Sequence, residues 1–212
     1  MFSWIPWFRK DRGIVDSQGR FCYQMNGRTI YLPDAKVLIE REAFEKLKSY
    51  VLSVDTEISG LGIVQRRGDV FYIPEVFLLE QEVSAAWTKL DPVAIAKLMG
   101  RIISRNQDPS LLRFWWHSHS AMAPFWSALD EATVENLKNN GFLVSLVINR
   151  RLEYLCRLDL YKPLRVTIDG ITLESRGDFV VSQDPREEVG RKVREQRRFD
   201  LTVDSQAELF QI

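Results

Sequence analysis

A chain of 212 residues suits one compact core with short extensions and is too short for several full-sized domains. With 45% hydrophobic, 11% aromatic and 27% charged residues it has the material for a packed interior, which excludes global disorder. Lysine plus arginine and aspartate plus glutamate balance at 29 each, so the total charge offers no footprint for a phosphate backbone and no nucleic acid partner is expected.

Cys22 and Cys156 lie in apolar surroundings without a Cys-x-x-Cys pair, the pattern of buried thiols in a reducing compartment. No run approaches the roughly 20 apolar residues of a transmembrane segment. In the opening MFSWIPWFRKDR the charges follow the aromatics, the reverse of a secretory leader. A cytoplasmic location is therefore expected. Trp4, Trp7 and Phe8 read best as cover for part of the core and receive no function.

In chain order, FCYQM and RTIYL flank Asn26-Gly27 and read as a hairpin. Phe44, Leu47, Val51 and Val54 recur at helical steps between Glu40 and Val54. ISGLGIVQ and VFYIPEVFLL read as paired strands about the turn Arg66 to Asp69, and the polar stretch Glu80 to Asp91 reads as a loop. Pro92 opens a second helix with Ile95, Leu98, Met99, Ile102 and Ile103 on one face, ending at Asn106 to Pro109. LLRFWWHSHS reads as a buried strand. Ser127 then caps a third helix that carries Leu129, Ala132 and Leu137 and stops near Asn140-Gly141. FLVSLVIN and LEYLCRLDLY are two further strands, RVTIDGITL is expected to add a hairpin, and REEVGRKVREQRR reads as a solvated charged helix. The order predicts an α/β fold, a mixed sheet sandwiched by helices. The expected organisation is an N-terminal extension over 1–34, a central domain over 35–181 and a charged tail over 182–212 that offers a possible docking site for a partner.

The only two histidines are His117 and His119, one residue apart, a coincidence expected on the order of once in a hundred random placements. Side chains at i and i+2 of a strand share a face, so both can converge on one metal ion. A catalytic zinc typically takes a third protein ligand and keeps a fourth position for water. Asp130, on the first turn of the third helix, is the candidate, since the helix dipole favours its ionised form. Taken singly these features have plainer readings. Ser127-Ala-Leu-Asp130 matches a helix capping box, and a His-x-His can be a structural pair.

Together, His117-Ser-His119, seven intervening residues and Ser127-Ala-Leu-Asp130 resemble the JAMM motif, His-x-His-x7-Ser-x-x-Asp, of the MPN+ zinc metallopeptidases. The family carries an upstream Glu-x-x-Gly followed by an aliphatic residue, and Glu57-Ile-Ser-Gly60-Leu61 is similar. Across about Ala35 to Tyr161 the resemblance implies an MPN fold and zinc held by His117, His119 and Asp130. It further implies Glu57 as acid-base, Ser127 as oxyanion donor, and cleavage after the C-terminal glycine of a ubiquitin-like protein or its conjugates. The compact chain resembles the prokaryotic members. Proline often follows the second histidine in that family; here Ser120 stands there, and Pro124 comes four residues later. A catalytically silent MPN scaffold, or a JAMM peptidase acting on another peptide, are the competing readings. A nucleobase deaminase is excluded by the missing His-x-Glu and Pro-Cys-x-x-Cys, and a zincin by the missing His-Glu-x-x-His.

Overall fold

The computed structural model describes residues 14–15, 21–25, 28–31, 34–84, 87–138, 141–162, 165–177 and 185–195. It opens with a small antiparallel sheet of β1 (Ile14–Val15), β2 (Phe21–Met25) and β3 (Arg28–Tyr31), in which β2 and β3 pair as the Asn-Gly signal predicts. Then follow β4 (Lys36–Glu40), α1 (Arg41–Leu52), β5 (Ser59–Arg67) and β6 (Val70–Leu78). After these come β7 (Gln81–Val83), β8 (Thr88–Leu90), α2 (Pro92–Ser104), β9 (Leu112–Ser118) and α3 (Ala128–Asn136). The chain continues through β10 (Phe142–Ile148), β11 (Tyr154–Leu160), β12 (Val166–Ile168), β13 (Leu173–Arg176), α4 (Arg186–Lys192) and β14 (Val193–Glu195).

Eight strands form one mixed sheet in the order β12-β11-β10-β9-β5-β6-β4-β13. β9 and β10 run parallel, with α3 supplying the crossover that a parallel pair requires. Alternation along β9 divides the core in two. Phe114 and Trp116 face a cluster with Leu47 and Tyr50 of α1 and Val189 of α4. Trp115 faces a second cluster with Ala94, Leu98 and Ile102 of α2 and Val134 of α3. The fold is therefore α/β, a mixed sheet between helical layers, and by period two His117 shares the α2/α3 side with Trp115. No helix among the described residues is long and apolar enough to cross a membrane.

Several local expectations need correction. Residues 166–176 do not make a hairpin: β12 pairs with β11 at one end of the sheet, whereas β13 pairs with β4 at the other. The polar stretch after Glu80 is a hairpin, β7 with β8, completed by β14 in the order β14-β7-β8. Its pattern is hidden because the inward residue Gln81 is polar. α3 stops at Asn136, and Leu129 lies on its exposed side. Met99 and Ile103 are likewise exposed on α2, which buries Ala94, Leu98 and Ile102. The charged helix expected after Ser182 is short and tied down: Val189 is buried, and Lys192 Nζ donates to the Leu78 carbonyl at 2.8 Å. The first 13 residues, with Trp4, Trp7 and Phe8, lie outside the described residues, as does everything beyond Glu195.

Gly60 sits where β5 is squeezed between β6 and β9. A Cβ there would lie 2.1 Å from the Phe77 carbonyl oxygen and 2.6 Å from the fully buried Trp116 indole. Backbone or a buried indole would have to give way, so Gly60→Ala should lower stability by at least about 2 kcal/mol. Gly100, inside α2 with nothing within 4 Å, should respond in the opposite sense, gaining up to about 1 kcal/mol as alanine. Urea unfolding of the two variants beside the parent chain reads both signs.

Candidate metal centre

β9 delivers the two histidines at its carboxyl end. His117 is its penultimate residue, and His119 follows just beyond, its N–H donating to the Ile148 carbonyl at 2.9 Å. Both rings are buried and turn Nε2 toward each other at 3.1 Å. Ser118 between them points to the other face, where its Oγ accepts from the Ile58 N–H at 3.0 Å. That bond ties the segment carrying Glu57 to the histidine strand, and no feature of the sequence marked Ser118 for it.

Asp130 arrives from α3. Its Oδ2 accepts from the Ser127 N–H at 2.7 Å, while Ser127 Oγ accepts from the Asp130 N–H at 3.2 Å, a complete capping box. The plainer reading of Ser-x-x-Asp is thus correct, and it coexists with a second role. Oδ1 of the same carboxylate lies 3.1 Å from His117 Nε2, and Oδ2 lies 3.7 Å from His119 Nε2. The donor atoms of His117, His119 and Asp130 all fall within 4.8 Å of one another. A tetrahedral zinc with bonds of about 2.0 to 2.1 Å spaces its ligand atoms about 3.3 Å apart. The His117–His119 and His117–Asp130 spacings of 3.1 Å are close to that value, and the three donor atoms lie near enough together that the group can hold a metal ion.

The imidazoles are oriented chiefly by rings. Trp115 stacks on His117 at 4.5 Å, Trp126 tilts toward it at 6.0 Å, and Phe125 meets His119 edge-on at 4.7 Å. Among the described residues, His117 Nδ1 has no acceptor in hydrogen-bond geometry. With Nε2 committed to the centre, the proton of a neutral ring resides on Nδ1.

Electrostatics follow from burial and from the shared carboxylate. Burial pushes the His117 pKa below its ordinary value, against the pull of Asp130, which keeps the ring neutral as a ligand must be. Burial also acts to lower His119, but the hydrogen bond to Asp130 and the charges of Glu57 and Asp130 outweigh it and raise the pKa. Burial alone would raise Asp130; hydrogen bonds from His117, His119 and Ser127 hold it well below the usual carboxylate range.

Glu57 lies two residues before β5, only 6% exposed, and lines the same cleft as Trp87, Trp115, Phe125, Ser127 and the three potential ligands. Burial raises its pKa to about 7, with His119 opposing and Asp130 adding to the rise. Gln81 was also unmarked in the sequence. Its buried carboxamide accepts from the Ser59 N–H and donates to the Ser59 carbonyl, each at 2.9 Å, binding the β7–β8 hairpin to the start of β5.

Elemental analysis after loading with zinc should find about one ion per chain, and Asp130→Ala should lose it. A second outcome concerns the metal-free protein. A carboxyl whose pKa rises from 4.5 to about 7 on folding holds its proton more tightly when folded. Its stability contribution is complete below the unfolded value and is lost as pH rises through 7. Glu57→Gln is neutral throughout, so its stability relative to the parent chain should grow by roughly 2 kcal/mol between about pH 5 and pH 8. Urea unfolding in a chelator at both pH values checks this.

No protein-family model matches the chain, and no curated protein matches it. Among solved structures, the solution structure of a protein from Desulfitobacterium hafniense is similar, with a TM-score of 0.49 and 19% identity over 66% of this chain and 94% of that one. That likeness is too slight to bear on family or activity.

Proposed function

We propose that this chain is a zinc-dependent peptidase of the JAMM (MPN+) type, which cleaves the peptide or isopeptide bond after the C-terminal glycine of a ubiquitin-like protein. The observation that carries this reading is the gathering of Glu57, His117, His119, Ser127 and Asp130, residues up to 73 positions apart, around one cleft. On this reading the mixed sheet between helical layers is an MPN fold.

His117 and His119 would hold the metal through Nε2 and Asp130 through a carboxylate oxygen. When bound, zinc supplies Lewis acidity and makes hydroxide available near neutral pH. Glu57 takes the proton of the attacking water and passes it to the leaving amine, work for which a pKa near the operating pH is best matched. Ser127 uses a lone pair of Oγ to cap α3, which leaves its O–H free to donate to the oxyanion forming on the scissile carbonyl.

The surroundings fit an extended tail better than a folded surface. A mostly apolar cavity of about 450 Å3, lined by Leu90, Ile95, Leu129 and Leu137, adjoins the cleft and shares Trp87, Thr88 and Trp115 with it. β8 stands at the edge of its sheet among the described residues, so a peptide can lie alongside it and add a strand.

Zinc-loaded protein incubated with ubiquitin-like fusions ending in glycine should release the free modifier. Glu57→Gln should lower turnover by at least about 10²-fold while zinc stays bound. Release of no modifier from any conjugate by zinc-replete protein would count against the peptidase reading and favour the silent scaffold.

A further inference from the structure

One buried charge that the proposed chemistry leaves unused is Arg157 on β11. Its side chain is 4% exposed and faces the same side of the sheet as the metal centre. The guanidinium makes four contacts. Nη1 and Nη2 donate to the two carboxylate oxygens of Glu131 at 2.5 and 3.1 Å, a bidentate pair. Nε lies 3.1 Å from Asp159 Oδ2, and the plane sits over the Trp126 indole at 4.3 Å. The Nε–Asp159 approach is an ion pair rather than a hydrogen bond; Asp159 is itself fully buried, and its other oxygen accepts from Thr167 Oγ1 at 2.6 Å.

Two of the partners that Arg157 holds, Glu131 and Trp126, adjoin members of the centre. Glu131 follows Asp130 on the first turn of α3, where the Glu131 N–H donates to the Ser127 carbonyl at 3.0 Å. Trp126 precedes Ser127 and tilts over His117, whose Nδ1 has no acceptor among the described residues. Metal-binding imidazoles are usually aimed by a hydrogen bond on the far nitrogen. Here that task falls to the aromatic walls, and one of those walls is itself clamped by an arginine from the neighbouring strand.

We propose that Arg157 is a positioning residue for the metal centre: through Glu131 it fixes the first turn of α3 that carries Asp130, and through Trp126 it fixes the ring of His117, without touching either ligand. The inference rests on the reading of His117, His119 and Asp130 as a metal site. Lysine at 157 would keep the charge but lose the fork and the flat face that this role uses.

The test is Co2+ titration of the full chain, read by the visible absorption of the bound ion and by the dissociation constant, beside urea unfolding of every variant. Arg157→Lys should weaken Co2+ binding by about 10- to 100-fold and alter the absorption band. Glu131→Ala, which removes a half-exposed carboxylate, should weaken it about 10-fold, and Glu131→Gln should recover part of that loss. If Arg157→Lys fails to fold, the two Glu131 variants decide the matter alone. Variants that fold and match the parent chain in affinity and spectrum overturn the positioning role while leaving the metal site standing. A parent chain that takes up neither Co2+ nor zinc overturns the metal site, and this inference with it.

Discussion

The reciprocal hydrogen bonds between Ser127 and Asp130 set the geometry on which the centre depends. A capping box ordinarily satisfies orphan donors at a helix start and nothing more. Here the carboxylate that closes the box has a second oxygen, and α3 lies across the end of β9 so that this oxygen meets His117. Because hydrogen bonds from His117 and His119, joined by one from Ser127, favour its charged form, the carboxylate stays ionised despite burial. The helix start is therefore a structural terminus and one wall of the site at once. Moving it by one residue would destroy both.

Around that fixed point the structure concentrates charge where the sheet would otherwise be packed with apolar side chains. Glu57, His117, His119 and Asp130 are all buried, and Arg157 and Asp159 form a second buried layer beside them. Buried charge is costly unless paired, and most of these groups are paired. Glu57 is the one that answers burial by a rise in pKa to about 7. Stability and chemistry pull against each other at that residue, since ionising the base that the proposed reaction needs is what burial opposes.

The centre was more legible in the sequence than parts of the fold. Two histidines one residue apart, an Asp in a cap eleven residues on, and alternation along a strand are local facts, and local facts fix which side chains share a face. Glu57 was different: only the likeness to a known motif singled it out, because its partners come from β9 and α3, 60 and more residues away. The misread elements have two causes, distant pairing and polar burial. β13 is read as the return strand of a local hairpin until one knows that Leu173 pairs with Val37, and β4, not marked by the sequence, is short and leads straight into α1. The β7–β8 hairpin escaped notice because Gln81, the residue it turns inward, is satisfied by the backbone of Ser59 rather than by apolar neighbours. Periodicity detects burial in oil and misses burial in hydrogen bonds.

The one departure from the JAMM pattern also has a backbone explanation. Ser120 has φ of 45°, in the left-handed region, whereas a proline ring holds φ near about −65°. The usual proline cannot occupy this path. Serine also serves the turn: its Oγ donates to the Asp55 carbonyl at 2.6 Å, and its own carbonyl accepts from the Arg150 N–H at 2.8 Å. The loop is fastened further by Asn149 Nδ2 on the Met122 carbonyl at 3.0 Å. Its course is set by contacts to the ends of neighbouring elements, and it leaves Met122 and Phe125 exposed at the mouth of the cleft. Ser120 thus bends the backbone that leads to Met122 and Phe125 in the cleft wall and is not among the group formed by His117, His119 and Asp130.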